Sequence, residues 1–208
     1  VPADAKGKAL IKHVQTAGLD TLPFTPEIRQ WQARVELVRT NAGSNAWPDV
    51  SSEHLLASMD NWLGPYLEPV NLLSHFKKLE LKSILTALLT WEQSQQLDAL
   101  APQRLQVPSG SSYSIDYTTT PPVLAVKLQE MFGCINTPAI FNGQVPLTIH
   151  LLSPAGRPLQ VTQDLANFWQ TSYREVRKEM KGRYPKHPWP EDPQNAVPTR
   201  RTKPRREG

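Results

Sequence analysis

Residues 145–161 read VPLTIHLLSPAGRPLQV, and this stretch decides the fold class. Between Val145 and Leu152 apolar side chains alternate with Thr and His, which is the period-two pattern of a half-buried strand. Ser153–Gly156 has the composition of a turn, and Pro158–Val161 is expected to return as a paired strand. This stretch therefore predicts antiparallel β structure in the second half of the chain.

The first half of the chain has a different period, with apolar residues three and four positions apart, as in amphipathic helices. The clearest helix start is Thr25-Pro26-Glu27. Thr can cap the helix, Pro fits its first turn, and Glu faces the positive end of the helix dipole. We expect the Trp and Leu side chains of the inner faces to form a core. Three helices are predicted, over about 25–43, 51–64 and 81–100.

Further β structure is predicted between the helices and the first stretch. Arg104–Val107 and Tyr113–Tyr117 are short alternating runs joined by the turn-rich segment Pro108–Ser112, which indicates a hairpin. The apolar run Val123–Val126 is followed by Lys127–Gly133, a predicted short helix that its final glycine closes. The sequence thus predicts a small antiparallel sheet of about four strands.

A long final helix is predicted from Thr162, which can cap it, to Gly182, where we expect it to end. Gln170, Arg174, Arg177 and Lys181 fall on a separate face of that helix. After it, residues 184–208 contain six prolines and few aliphatic side chains, which predicts an extended or disordered tail. One apolar stripe is expected to face the core, formed by Leu165, Phe168, Trp169, Tyr173, Val176 and Met180.

The predicted fold class is α+β, with a helical N-terminal half, a small antiparallel sheet, a long C-terminal helix and an extended basic tail. The longest apolar runs, such as Ile84–Leu89, are too short to span a bilayer. The single cysteine, Cys134, excludes an internal disulfide framework and fits a reducing compartment.

The sequence shows no motif for catalysis. The pair Gly7-Lys8 is followed by Ala9 and lacks the upstream glycine of a phosphate-binding loop. One cysteine cannot build a thiolate zinc site, and the five histidines are scattered without ligand spacing. A nucleophile elbow of the form Gly-x-Ser-x-Gly is also absent from the sequence. We therefore predict no catalytic residue, no metal ligand and no cofactor in this chain. An independent enzyme stays the alternative, and it would need a buried cluster of titratable groups assembled from residues distant in the sequence.

Positive charge is concentrated at the carboxyl end. Residues 174–206 carry eleven Lys/Arg against four Asp/Glu, whereas residues 1–173 carry twelve against fourteen. Clustered cations can neutralise phosphates with release of counterions, and aromatic side chains among them can stack on unpaired bases. The candidate nucleic-acid-binding residues are Arg174, Arg177, Lys178, Lys181, Arg183, Tyr184, Lys186, Trp189, Arg200, Arg201 and Lys203.

Two other interpretations of the basic end remain open. It can dock onto protein, either within a longer parent chain or on another protein. Alternatively, the charged helix face is only solvated, and Tyr184 and Trp189 pin the Pro-rich segment to the surface of the domain.

Three stretches carry a resemblance to a known family. Residues 121–133 read PPVLAVKLQEMFG, residues 151–162 read LLSPAGRPLQVT, and residues 178–190 read KEMKGRYPKHPWP, preceded by Trp169. On these residues, and on Thr199–Lys203, the chain resembles the C-terminal region of the HrpB family of bacterial ATP-dependent RNA helicases, of the DEAH/RHA class. The likeness extends over the whole chain and is most specific over its second half.

The resemblance implies a larger parent protein with two RecA-like ATPase domains that bind ATP and Mg²⁺ outside this chain. Residues 1–45 would be the end of the common helicase core, 46–183 the family-specific α+β domain, and 184–208 a Pro-rich basic tail. The implied function is that of a non-catalytic accessory segment. The implied partners are RNA or single-stranded nucleic acid, the motor domains of the same chain, and a possible protein partner. A cytoplasmic, nucleotide-hydrolysing parent and no membrane association are expected.

Overall fold

A computed structural model describes residues 3–43, 45–67 and 73–203. The chain divides into two compact units, Val1–Ala101 and Pro102–Gly208. The first unit is helical and the second contains all the strands of the described residues, which confirms the α+β class. The boundaries of the predicted segments 1–45, 46–183 and 184–208 come from the resemblance to a helicase family. The two compact units do not test those boundaries, which stay predictions.

The first unit is built from helices joined by short 3₁₀ turns. The 3₁₀ segments are Leu19–Thr21, Gly64–Tyr66 and Leu73–Lys78, and the predicted set of three helices omitted both these segments and the first helix. The helices are α1 (Ala3–Ala17), α2 (Pro26–Ala42), α3 (Ser52–Ala57), α4 (Met59–Trp62), α5 (Leu81–Thr86) and α6 (Trp91–Leu100).

Helix α2 begins and ends where the sequence predicts. The Thr25 hydroxyl accepts a hydrogen bond from the backbone N–H of Ile28 (3.3 Å), and Pro26 occupies the first turn. Gly43 follows the helix with φ of +62°, a left-handed conformation that glycine adopts without steric cost. Its inner face is buried as predicted and consists of Ile28, Trp31, Val35 and Val38.

The other two predicted helices are each interrupted. The second divides at Ser58 into α3 and α4, and the Ser51 hydroxyl caps α3 by accepting from the N–H of His54. The third divides into α5 and α6 because Thr90 and Gln93 form a capping box that starts a new helix. A sequence with unbroken apolar spacing can therefore still contain a strong local start signal.

Arg34 is a buried charged side chain in the first unit. Its Nε–H donates to the carbonyl of Ala101 (2.6 Å), and its Nη2 donates to Asp98 (2.7 Å), whose side chain is mostly exposed. These bonds fasten α2 to the end of α6 and satisfy a guanidinium that would otherwise be costly to bury.

The second unit contains a five-stranded sheet in the order β1-β2-β3-β6-β7 and a separate pair, β4-β5. A 3₁₀ helix, Leu128–Met131, follows β3, and helices α7 (Leu165–Gln170) and α8 (Tyr173–Arg183) follow β7. The strands are β1 (Arg104–Gln106), β2 (Ser112–Asp116), β3 (Val123–Lys127), β4 (Ala139–Ile140), β5 (Val145–Pro146), β6 (Thr148–Leu152) and β7 (Pro158–Thr162).

The prediction of a wholly antiparallel sheet was wrong. Strand β3, which the sequence analysis did not assign, pairs in parallel with β6, with Val123 opposite Thr148 and Lys127 opposite Leu152. A parallel pair needs a long crossover, and the segment between these strands holds the 3₁₀ helix and the β4-β5 pair. The hairpin β1-β2 and the β6-β7 return are antiparallel as predicted.

The prediction of one long C-terminal helix was also wrong. Asp164, not Thr162, caps α7 by accepting from the N–H of Asn167, and the helix ends at Thr171. The Thr171 hydroxyl donates back to the carbonyl of Asn167 (2.7 Å), a bond of the kind that competes with continued helix. Most of the predicted apolar stripe still packs inward, because Leu165, Phe168, Trp169, Tyr173 and Met180 are buried. Val176, the sixth residue of that stripe, is only half-buried.

Substitution Arg34→Ala should lower the free energy of unfolding of the chain by about 1–3 kcal/mol, because it leaves the buried carbonyl of Ala101 without a donor. Urea denaturation measures this loss. The matched variant Asp98→Ala removes only the exposed end of the contact and should cost less than about 1 kcal/mol. Equal losses in the two variants would contradict this account of Arg34.

Candidate nucleic-acid interface

Residues 184–203, here called the C-terminal strap, contain neither helix nor strand, in keeping with the predicted extended tail. The segment is nonetheless packed onto the second unit. Trp189 is 5% exposed, and its indole N–H donates to the carbonyl of Tyr184 (2.9 Å). The structure thus supports the interpretation in which Trp189 pins the segment, and its buried ring is not available for stacking on a base.

The strap is next held by α8. The Tyr173 hydroxyl donates to the carbonyl of Pro190 (2.8 Å), and the Nε–H of Arg177 donates to the carbonyl of Trp189 (2.8 Å). Burial raises the pKa of Tyr173, so the hydroxyl keeps its proton and remains a donor. An aromatic cluster of Phe132, Trp169 and Tyr173 lies beneath this contact.

The strap then crosses the turn at Gly133. The N–H of Gly133 donates to the carbonyl of Pro193 (2.9 Å), and its φ of +80° is one that side-chain-bearing residues rarely adopt. A Cβ at this position would lie 3.2 Å from the carbonyl oxygen of Ala196. The predicted helix-closing glycine is therefore also required by the close approach of the strap.

The end of the strap is held by Gln129, whose side chain is 1% exposed. Its amide nitrogen donates to the carbonyls of Thr199 (2.8 Å) and Arg201 (3.4 Å). Its amide oxygen lies 2.8 Å from Nδ1 of His187. Because an amide oxygen only accepts, His187 carries its proton on Nδ1. The strap closes on itself where the N–H of Lys203 donates to the carbonyl of Lys186 (2.8 Å).

His187 lies in a positively charged environment. Burial lowers the pKa of its imidazole, and the charge of Lys127 at the end of β3 lowers that pKa further. No acidic residue is among the causes of the shift, and His187 contacts the ring of Tyr184 edge-on. The imidazole is therefore held towards its neutral form as a donor to Gln129.

A buried carboxylate lies next to this region and is fully occupied. Glu130 accepts hydrogen bonds from the hydroxyls of Tyr113 and Ser109. Burial would raise the pKa of Glu130, but these hydrogen bonds and the charge of Lys127 bring it below the ordinary value. Burial and Glu130 raise the pKa of Tyr113 to about 12, while the nearby charge of Arg200 opposes that rise.

Two of the nine predicted cations are used inside the protein. Arg177 donates to the strap and pairs with Glu191 (3.3 Å), and Arg183 pairs with Glu179 (3.3 Å) one turn earlier in α8. The other seven are exposed and form no ion pair within residues 3–43, 45–67 and 73–203. They are Arg174, Lys178, Lys181, Lys186, Arg200, Arg201 and Lys203.

These seven cations form two groups. Arg174, Lys178 and Lys181 are spaced by four and three residues and so share one side of α8, here called the α8 face. The remaining four gather where the strap closes, together with Lys127, which the sequence analysis did not select. This second group, here called the strap patch, consists of Lys127, Lys186, Arg200, Arg201 and Lys203.

Sequence reasoning missed the residues that assemble the strap patch. The sequence analysis assigned no role in a binding site to Gln129, Lys127 or His187. No spacing rule joins them to residues some 60–70 positions apart, and only the packed strap reveals the contact. Tyr184 is half-buried, and the predicted tail residues Arg205 and Arg206 lie outside the described residues.

A family model described as ATP-dependent helicase C-terminal matches residues 62–193. The chain belongs to this family. It is also 46% identical, over 201 residues, to the ATP-dependent RNA helicase HrpB of Escherichia coli strain K12. That alignment covers 96% of this chain and 25% of the helicase, so the chain spans about a quarter of that relative's length.

Two solved structures are similar to this chain. A crystal structure of the E. coli DExH-box NTPase HrpB matches with a TM-score of 0.84 and 46% identity, over 92% of this chain and 24% of that one. A structure of the E. coli DEAH/RHA helicase HrpB matches with a TM-score of 0.71 and 42% identity, over 88% and 23% respectively. The resemblance drawn from the sequence is confirmed. The helicase C-terminal match includes α8 and Trp189, whereas the Thr199–Lys203 end of the strap lies beyond it.

The described part of the chain shows no group of three or more His, Cys, Asp or Glu side chains that could hold a metal ion. Among the same residues, no helix is both long enough and apolar enough to cross a membrane.

His187 should make the chain lose stability on acidification. Because its pKa is lower in the folded protein than the ordinary value near 6.5, its contribution is complete above that pH and is lost as pH falls through the folded pKa. Urea midpoints between pH 7.5 and 5.5 should fall more for the natural protein than for His187→Asn. Asn keeps a donor near the Nδ1 position but does not titrate, so equal pH dependence would show that His187 does not contribute.

Proposed function

We propose that this chain is a non-catalytic C-terminal accessory segment of an ATP-dependent RNA helicase. In this proposal its basic end contacts RNA or single-stranded nucleic acid. The observation that carries the proposal is that seven of the nine predicted cations are exposed and form no ion pair in the described part of the chain. Cations left unpaired by their own domain are available to phosphates.

Phosphate neutralisation explains why unpaired cations would be useful. Each phosphate contact on a single strand releases condensed counterions and lowers the slope of log affinity against log salt by about 0.7. The two groups occupy one unit, and none of the ion pairs among the described residues involves a member of either group. Arg177 and Trp189 instead support the strap, and Arg183 is neutralised by Glu179.

The chemistry of ATP hydrolysis belongs to the rest of the parent in this proposal. The relatives named ATP-dependent RNA helicase and DExH-box NTPase are about four times as long as the part matched here. ATP and Mg²⁺ would bind in their motor domains, and this chain would add affinity for the nucleic acid next to those domains. We propose a cytoplasmic location for the parent.

A salt titration of binding to single-stranded RNA tests this function. The triple variant Arg174→Gln, Lys178→Gln, Lys181→Gln should reduce the magnitude of the slope of log affinity against log salt by about 2, because three phosphate contacts are lost. Fluorescence anisotropy of a labelled oligonucleotide measures both affinity and slope.

The matched control changes three exposed lysines of the first unit, as Lys6→Gln, Lys12→Gln, Lys77→Gln. This control alters net charge by the same amount and should leave the slope nearly unchanged. Equal reductions in the two triple variants would mean that only net charge matters, and the proposed contact through the basic end would be wrong.

A second candidate function is protein docking, either to brace the motor domains of the parent or to recruit a partner. The observation in its favour is a set of exposed large apolar side chains, among which Trp91 is 72% and Val197 is 83% exposed. Trp91 carries this argument, because tryptophan is enriched among the residues that anchor protein–protein interfaces.

The substitution Trp91→Ala tests whether Trp91 packs against the motor domains of the parent or is exposed to solvent there as well. If Trp91 packs on the motor domains, the substitution should lower the melting temperature of the full-length parent by several degrees while leaving that of this chain unchanged. Calorimetry of both proteins measures the difference. Unchanged melting of the parent would exclude Trp91 from a bracing contact. The surface control is Lys78→Gln, at an exposed position of the same unit.

A further inference from the structure

The side chains at the end of the strap do not explain why this segment is ordered. Arg200, Arg201, Thr202 and Lys203 are all exposed, and Thr199 is only half-buried. A segment of this composition buries too little apolar surface to offset the conformational entropy of ordering it. Its position must therefore come from bonds made by its backbone.

Those bonds converge on Gln129. The N–H of Thr199 donates to the backbone carbonyl of Gln129 (3.1 Å), and the side-chain amide of Gln129 donates to the carbonyl of Thr199 (2.8 Å). One residue thus binds both backbone groups of Thr199, and the same amide also reaches the carbonyl of Arg201. The Thr199 hydroxyl accepts from the N–H of Arg201 (3.0 Å), which fixes the turn between them.

The opposite side of the same amide holds the start of the strap. His187 donates to the Gln129 oxygen, and the adjacent Lys186 carbonyl accepts from the N–H of Lys203. The two ends of the strap are therefore placed side by side, which brings Lys186 next to Lys203. None of these backbone bonds uses a cationic side chain, and among the strap cations the Lys203 Nζ makes one additional contact, donating to the carbonyl of Pro185 (3.5 Å).

We infer that Gln129 is a positioning residue of an anionic-polymer site. It holds the two ends of the C-terminal strap together so that the strap patch presents its cations, already ordered, to the phosphates of single-stranded RNA. This inference rests on the proposed function and names which of the two basic groups is preorganised and how. A preordered site binds more tightly than a flexible one, because the ordering entropy is lost on folding and not on binding.

The charges of the strap patch are tested by the triple variant Arg200→Gln, Arg201→Gln, Lys203→Gln. The magnitude of the slope of log affinity against log salt should fall by about 2 for single-stranded RNA, and similarly for single-stranded DNA of the same sequence, because only phosphates are contacted. An unchanged slope here, with a reduced slope for the α8-face triple, would overturn the strap patch and leave the proposed function intact. Unchanged slopes in both triples would overturn the proposed function.

The positioning role is tested by Gln129→Met, which keeps every charge and nearly the same side-chain volume. Binding must then order the strap end, so affinity for the RNA should fall about tenfold, since ordering a single residue already costs about that factor. The slope against salt should change much less than in the charge variant. A residue with a purely structural role would lower the melting temperature without changing affinity, and that result would overturn the inference.

A second variant leaves the buried Gln129 unchanged and so tests the positioning role independently. Thr199→Pro removes both the N–H that bonds to Gln129 and the hydroxyl that accepts from the N–H of Arg201, and it keeps Gln129 and the net charge. It should weaken RNA binding at least as much as Gln129→Met does. Hydrogen exchange at the amide of Lys203 should accelerate in both variants, because its acceptor on Lys186 moves away. Accelerated exchange with unchanged affinity in both variants would show that preorganisation of the strap patch does not serve binding.

Discussion

A segment with few apolar side chains must be held in place mainly through its backbone groups, and the C-terminal strap depends on this constraint. Trp189 provides the large buried anchor, and most of the remaining contacts are carbonyls and N–H groups paired with Tyr173, Arg177, Gly133 and Gln129. Two strap side chains add to them, His187 on Gln129 and Glu191 on Arg177. Because most of the bonding is done by the backbone, the cationic side chains of the strap are not needed for its folding. The exposed cations are therefore available for contact with phosphates.

The same constraint explains why the basic end divides into cations that support structure and cations that remain unpaired. Arg177 is consumed where the strap passes α8, and Arg183 is neutralised within the helix. The α8 face and the strap patch lack such partners in the part of the chain that the structure describes. The chain belongs to the ATP-dependent helicase C-terminal family, and the proposed nucleic-acid contact would suit a helicase parent, because a helicase acts on a polyanion.

Local signals in the sequence were sufficient to predict many of the helices and strands but not how all the strands pair in the sheet. The Thr25 cap, the β1-β2 hairpin and the buried stripe of α7 and α8 follow from period and capping alone. The parallel β3-β6 pair could not be predicted, because a crossover is decided by long-range packing. Among the candidate site residues the basic cluster was visible in the sequence, whereas the role of Gln129 depends on contacts 58–72 residues away.

Nucleic-acid binding through the basic end requires that the folded strap and α8 face the nucleic acid. Hydrogen-exchange mass spectrometry of the chain, with and without saturating single-stranded RNA, measures which segments the nucleic acid protects. We expect RNA to slow exchange in peptides covering 174–186 and 199–203 and to leave the helices of the first unit unaffected. Slowed exchange confined to the first unit, with no change in those two segments, would contradict binding through the basic end.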